Sequence, residues 1–381
     1  MKKSRLYTAM SVLLILVLFS QLSLKANEQP KVEAQGAVLI EKETGRVLWE
    51  KNAHKPLAMA STTKIMTAIL ALELGNMDDT VTISKRAAAA PKVKMYLQVN
   101  EEIKLKSLLY ALMMQSANDA AVAVAEHIGG TVEHFCFMMT QKARELGAYN
   151  TVFETPSGLD TENHRSTAYD MAQIARYAVS NQQFMDITNT RSISVASNKT
   201  TYNLVNKNRL LNEYEGANGI KTGFTGKAGY CFVGSAKRGD VHLLSVALTS
   251  GWGAKGKEQK WVDTKRILNY GFENYAIEEV IMQGEQVGVV DIIKSKTTEV
   301  GLYFDKSVVL PLTTQELESL EILPIYPLSI EAPISANVVI GKADIVVNGE
   351  VLETVDILTY NKADRHDFWT SLEKVLKQLI N

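Results

Sequence analysis

The chain has 381 residues, 46% of them hydrophobic and 22% charged, which suits a globular protein of two domains. Its formal net charge of -1 at pH 7 excludes a global attraction to nucleic acid or to a strongly anionic surface, so partners must be argued locally. The two cysteines, Cys136 and Cys231, have no metal-ligand spacing and lie in apolar surroundings, so two buried thiols are expected rather than a disulfide.

At the start, Lys2, Lys3 and Arg5 precede an apolar run over residues 9–24, with the small Ala26 as a cleavage point. This pattern predicts a signal peptide over residues 1–26 and export; Leu24 departs from the small residue a signal peptidase prefers, and the alternative is an uncleaved membrane anchor. Either version places the rest of the chain outside the cytoplasm. Residues 37–41 and 46–50 flank Lys42-Glu43-Thr44-Gly45 and read as a hairpin. From Ala58-Met59-Ala60-Ser61-Thr62-Thr63-Lys64 a helix is expected, with Ile65, Ile69 and Leu72 on one face and Gly75 at its end. Residues 78–84 look extended, and residues 85–90 form a brief helical turn stopped by Pro91. A helical pattern over residues 105–113 breaks at Gln115-Ser116-Ala117-Asn118, resumes over 119–128 and stops at Gly129 and Gly130. Further helices are expected over 135–146 and 168–179.

The period changes near Gly219. Residues 230–237 and 241–249 read as strands joined by Arg238-Gly239-Asp240, and 259–269 as a helix packed on them. Early strands, a helical middle and late strands suggest one sheet closed across a helical insertion. Beyond residue 275 come β-branched runs at 287–293, 299–304, 308–312, 338–347 and 351–359, with Pro311, Pro324, Pro327 and Pro333 among the later residues, which favour a small antiparallel domain. Residues 364–380 read as an amphipathic helix with Phe368, Leu372, Val375, Leu376 and Leu379 on one face. That stripe fits either docking on the β domain or a membrane interface.

Three short motifs carry the chemistry. Ser61 and Lys64 are three residues apart on a helix, so a hydroxyl is within reach of an amine that can activate it. Alone the pair reads as a helix cap beside a solvated lysine, and Ser371 with Lys374 repeats the spacing. Ser116 and Asn118 fall on a connection where capping is the plain reading, and Ser335 with Asn337 repeats them. Lys221-Thr222-Gly223 occurs just ahead of the strand expected from Tyr230, where it reads as an exposed edge turn or as a site whose Gly223 lets a ligand approach the backbone. No His, Cys and carboxylate cluster has metal-site spacing and no glycine-rich loop has nucleotide-site context, so no metal and no cofactor is expected.

In that order, Ser61-x-x-Lys64, Ser116-x-Asn118 and Lys221-Thr222-Gly223 resemble the penicillin-binding proteins and serine β-lactamases. Ser61-Thr62-Thr63-Lys64-Ile65-Met66-Thr67, Ser116-Ala117-Asn118-Asp119-Ala120, Ser166-Thr167-Ala168-Tyr169-Asp170-Met171 and Lys221-Thr222-Gly223-Phe224-Thr225 narrow this. They look like the low-molecular-mass D-alanyl-D-alanine carboxypeptidases of serine peptidase family S11, and residues 219–234 are similar to the spore-associated and Gram-positive branch. The resemblance covers about residues 34–272. It implies an α/β fold of the β-lactamase/transpeptidase type, an antiparallel sheet flanked by helices with a helical subdomain inserted. The implied layout is a peptidase domain over 34–275, a β-rich domain over 276–360 and the helix over 364–380.

By the same resemblance Ser61 is the acylated nucleophile, Lys64 its base, and Ser116 the relay of a proton to the departing amine. Asn118 holds Lys64 and the substrate amide, Lys221, Thr222 and Gly223 receive the terminal carboxylate, and the backbone amides of Ser61 and Phe224 form the oxyanion hole. The implied substrate is a peptidoglycan pentapeptide ending in D-Ala-D-Ala, with β-lactams as covalent inhibitors. The loop Thr155-Pro156-Ser157-Gly158-Leu159 departs by carrying serine where many relatives have histidine, and His164 reads as an ordinary loop histidine. A class A β-lactamase is disfavoured, since no Glu-x-x-Leu-Asn segment lies between Asn118 and Lys221. Endopeptidase or transpeptidase action on peptidoglycan stays open, as does a non-catalytic wall-binding protein.

Overall fold

The computed structural model describes residues 28–366 and residue 372. The chain divides into two compact units. The larger takes residues up to Ile40, Val47–Lys237 and Leu243–Glu273; the smaller takes Glu41–Arg46, Arg238–His242 and the chain from Asn274 on.

In the larger unit, β1 (Gly36–Glu41) and β2 (Val47–Lys51) form the expected antiparallel hairpin, with Gly45 in the left-handed region at φ 73°. A 3-10 turn at Ala60–Thr63 leads into α1 (Lys64–Leu74), which ends at Gly75. The first eight residues of α1 are buried, so it is a core helix rather than a one-faced one, and it packs against four later helices. Of these, α4 (Asn118–Gly129) follows β3 (Thr80–Thr82), α2 (Lys85–Ala88), β4 (Glu102–Lys104) and α3 (Leu105–Tyr110). The others are α5 (Val132–Glu145), α6 (Ala168–Val179) and α7 (Gln182–Asn189). Each large apolar side chain buried there stabilises the fold by about 1.5–3 kcal/mol.

The break expected near Gln115 is a turn of π-helix over Ala111–Gln115, closed by Ser116 in the left-handed region at φ 67° and ψ 33°. The late strands complete the first sheet: β7 (Ala217–Thr225), β8 (Gly229–Arg238) and β9 (Val241–Leu248) give the antiparallel order β2-β1-β9-β8-β7. The sheet is thus closed across the helical insertion, as the order of strands suggests. The fold is the α/β arrangement anticipated.

Several details differ from the sequence reading. Lys221-Thr222-Gly223 is not a turn ahead of a strand: it lies within β7, paired residue for residue with Val233, Phe232 and Cys231 of β8. The helix expected over 259–269 runs further, as α9 (Gly253–Asn274), and takes in Gly256 and Gly271, which sit where a side chain would strike Gly251 and Leu243. Residues 180–216, unassigned from sequence, hold α7, the hairpin of β5 (Ser192–Ala196) with β6 (Thr201–Val205), and α8 (Leu210–Glu213). Both cysteines are free and buried, and burial pushes each thiol up to about 12.

The smaller unit holds a six-stranded sheet built on β11 (Gln286–Ile293), β12 (Glu299–Phe304), β16 (Val339–Val347) and β17 (Glu350–Thr359). Edge strands β14 (Glu321–Ile325) and β15 (Ser329–Glu331) flank it, and β10 (Ala276–Ile281) pairs separately with β13 (Val308–Leu312). β15 joins β11 in parallel, the exception in an otherwise antiparallel unit. Its core of Val290, Val300, Leu302, Ile345, Val355 and Ile357 shares no residue with the core of the larger unit. The start of the terminal helix is corrected. Ala363 and Arg365 are still extended and bridge Ile334 and Ser295, so their backbone is committed there; the remainder of that expected helix, apart from residue 372, and the expected signal peptide over 1–26 lie outside the described residues.

Candidate active site

The 3-10 turn brings Ser61 and Lys64 to one side, and the Lys64 Nζ lies 3.0 Å from the Ser61 Oγ. The plain reading of Ser61 as a helix cap does not hold, because neither cap position of the turn or of α1 uses a side chain. Ala60, beside it, sits in the left-handed region at φ 48°, a conformation that costs on the order of 1–3 kcal/mol outside glycine and is held by its surroundings. Two glycines press on this turn. A Cβ on Gly223 would lie 3.1 Å from the Ser61 nitrogen, and one on Gly158 would lie 1.9 Å from the Ala60 oxygen.

Lys64 is wholly buried. Its Nζ donates to Asn118 Oδ1 at 2.8 Å and to the Ser157 carbonyl at 2.5 Å. Burial first, then the charges of Lys221 and Lys207, hold this amine well below its ordinary 10.5, with Asp119 opposing. A neutral amine has two hydrogens and one lone pair. With Asn118 and Ser157 taking the hydrogens, the lone pair is left for the Ser61 hydroxyl.

Asn118 begins α4, and its amide nitrogen donates to the carbonyls of Pro91 at 3.1 Å and Lys92 at 3.2 Å. Its side-chain contacts are therefore Lys64 and this backbone, and reaching a substrate amide would require one donor bond to be exchanged. Ser116, two residues earlier, lines the same cavity as Ser61, Thr222, Gly223 and Phe224. That cavity has a volume of about 500 Å³, within the ~300–1,000 Å³ typical of small-molecule sites.

Lys221 projects from β7 and is 1% exposed, which rules out an exposed edge turn. Its Nζ donates to the Thr222 carbonyl at 3.0 Å. Burial, aided by the charge of Lys207, brings it down to about 7. Ser335 and Asn337, the repeat of the second motif, lie in the smaller unit, where Asn337 accepts from the Tyr303 hydroxyl.

Sequence reasoning missed three contributors. The Ser157 carbonyl touches both Lys64 and, at 3.3 Å, the Ser61 Oγ; a main-chain acceptor leaves no side-chain signature, and only the neighbouring Gly158 hints at a close approach. This contact is made by the main chain and does not depend on which side chain stands at 157. Lys207 lines the cavity and donates to the Gln115 carbonyl at 2.9 Å. Lys260 sits between the rings of Tyr230 and Trp261 at 4.7 and 4.3 Å, a cation held against aromatic faces. Lys207 lies in a stretch unassigned from sequence, and Lys260 falls on the expected helix over 259–269, where a single lysine carries no signal of a site.

The family profile described as D-alanyl-D-alanine carboxypeptidase, Peptidase S11, matches residues 23–251. The chain belongs to this family. It is a serine-type D-Ala-D-Ala carboxypeptidase by that membership. The profile for the C-terminal domain of penicillin-binding protein 5 matches residues 275–365. Among its relatives, this carboxypeptidase is 34% identical to D-alanyl-D-alanine carboxypeptidase DacF of Bacillus subtilis over 351 residues, covering 90% of this chain and 89% of that one. It is 29% identical to DacA of Escherichia coli, covering 92% and 89%. Its fold matches penicillin-binding protein 5 from Haemophilus influenzae with a TM-score of 0.74 and 27% identity, over 88% of this chain and 99% of that one. Among the described residues no helix is long and apolar enough to cross a membrane.

Proposed function

We propose that this carboxypeptidase removes the terminal D-alanine from peptidoglycan pentapeptides ending in D-Ala-D-Ala through an acyl-enzyme on Ser61. The observation that carries the reading is the fully buried Lys64 amine, 3.0 Å from the Ser61 Oγ with both hydrogens of its neutral form engaged elsewhere. Lys64 takes the hydroxyl proton as Ser61 Oγ attacks the penultimate D-alanine carbonyl. The amides of Ser61 and Phe224 stabilise the oxyanion, and Gly223 lets β7 come close enough for both to face one oxygen. Ser116 passes a proton to the departing amine, the bond to the terminal D-alanine breaks, and that residue leaves. Water then attacks the ester, returning the proton to Ser61.

Lys221, in its charged form, and Thr222 receive the carboxylate of the terminal D-alanine beside Gly223, as a cation and a hydroxyl suit such a group. Asn118 fixes Lys64 and, after exchange of a donor bond, the substrate amide. β-Lactams, which present a strained acyl group to the same nucleophile, acylate Ser61 in this reading. Export by a signal peptide over residues 1–26 would bring the peptidase domain of residues 34–275 and the β-rich domain of 276–360 to the outer face of the membrane.

Incubation with a peptide ending in D-Ala-D-Ala tests this reading. Stoichiometric release of D-alanine is expected, abolished in Ser61→Ala without loss of fold. An intact peptide after incubation with wild-type protein would defeat it.

A further inference from the structure

The loop over residues 154–164 touches both halves of the site, and its ties are unequal in kind. At its root, the His164 Nδ1 accepts from the Glu154 backbone nitrogen at 3.0 Å, so its Nε2 carries the proton donated to Thr63 Oγ1 at 2.8 Å. Thr63 immediately precedes Lys64. His164 is 3% exposed and burial lowers it to about 4, so it stays neutral and keeps this tautomer at ordinary pH. One turn further along α1, Thr67 Oγ1 donates to the Pro156 carbonyl at 2.6 Å. The middle of the loop presents the Ser157 carbonyl to Lys64 and seats Gly158 against Ala60.

The tip reaches the other half. Asp160 Oδ1 accepts from Thr225 Oγ1 at 2.7 Å, and its Oδ2 from the Lys227 backbone nitrogen at 3.3 Å. Lys227 Nζ returns a bond to the Thr161 carbonyl at 3.1 Å. Thr225 ends β7 and follows Phe224, whose amide is the second oxyanion donor in the reading above; its Oγ1 also accepts from Ala228, fixing the β7–β8 turn.

We propose that this loop is a brace that holds the Ser61 turn and the Phe224 amide at a fixed separation, with His164 and Asp160 as its positioning residues. Neither touches the substrate. The inference rests on the proposed acyl transfer at Ser61. Its logic is that the two oxyanion donors come from segments far apart in sequence, and a misplacement of ~1 Å at a reacting centre costs about 100-fold in rate.

The test separates acylation from binding by following a chromogenic β-lactam under rapid mixing with the full chain, together with thermal melting. Asp160→Ala and Thr225→Val should each lower the acylation rate constant about tenfold while the noncovalent dissociation constant stays within about twofold, as expected of lost positioning rather than lost contact. Both lose the Asp160–Thr225 bond, and each also loses one of its own, to Lys227 or to Ala228, so the combined loss in the double variant should fall well short of the product of the two single losses. Thr225→Ser, which keeps the hydroxyl, should acylate at the wild-type rate. His164→Asn should lower acylation in the same way, read against its melting temperature. Wild-type acylation rates in Asp160→Ala and Thr225→Val, a loss confined to the dissociation constant, or additive losses in the double variant would each overturn the brace. A wild-type protein that neither forms an adduct nor releases D-alanine would overturn both it and the acyl-transfer reading.

Discussion

Lys64 has the surroundings that suit the base of the proposed reaction. Burial and two neighbouring cations disfavour its charge, while acceptors from Asn118 and Ser157 fix its direction. Acylation should therefore rise with pH along a limb centred well below the ordinary 10.5, measured as the pH dependence of kcat/KM. Lys64→Arg keeps its proton and should abolish that limb and reduce acylation by about 10²–10⁴. In the proposed reaction Lys221 has the opposite task, since it needs its charge to receive a carboxylate. It sits at about 7, and a bound carboxylate favours the protonated form, so binding takes up a proton. In Ser61→Ala, the affinity for a D-Ala-D-Ala peptide should weaken as pH rises above about 7, with proton uptake seen in buffers of different ionisation heat. A flat profile from pH 6 to 9 would contradict this. For stability the sign is also fixed. Between about 7 and 10.5 the native state binds fewer protons at Lys221 than the unfolded chain does, so its burial cost is greatest at low pH and is relieved as pH rises. Ser61, Lys64, Ser116, Asn118 and Lys221 stood out as candidates because three motifs follow one another in the order of a known family; each spacing alone read as a cap or a turn. The Ser157 carbonyl did not, since any residue could supply it.

At the level of elements, the site depends on close approach between a helix entrance, a loop and a strand. Gly158→Ala places a Cβ 1.9 Å from a carbonyl oxygen in a residue at φ 86°, so it should cost roughly 3 kcal/mol or more of stability in urea unfolding. Gly223→Ala meets three atoms at 3.1 Å, which a small shift can relieve. Its expected stability loss is about 1–2 kcal/mol, and its larger effect should fall on acylation, as β7 is pushed from Ser61. Wild-type acylation in Gly223→Ala would show that the strand need not come so close. Long periodic elements such as α4, α6 and the β8–β9 hairpin could be read from sequence. The hairpin of β5 and β6 was missed although Ile193 and Val195, and Tyr202 and Leu204, alternate with polar residues, because each strand is only five residues long and only one residue on each is buried. β7 was obscured by its glycines, Gly219 and Gly223, which read as punctuation yet serve contact.

In the whole molecule, the two units have separate cores, and every residue lining the cavity belongs to the larger one. A chain ending after Glu273 that folds should keep its kcat/KM for a D-Ala-D-Ala peptide within about tenfold of the full chain, since no positioning contact is lost. A folded but inactive truncation would assign the β-rich unit a part in the chemistry. The division was visible as a change of texture near residue 275. The extended Ala363 and Arg365 were not, because backbone bridges to Ile334 and Ser295 leave no periodicity of their own. The account as a whole turns on one covalent bond. Mass spectrometry of the protein after incubation with benzylpenicillin is expected to show one intact penicilloyl adduct, on the peptide that contains Ser61, and none in Ser61→Ala. An adduct on another residue, or no adduct on a folded protein, would contradict it.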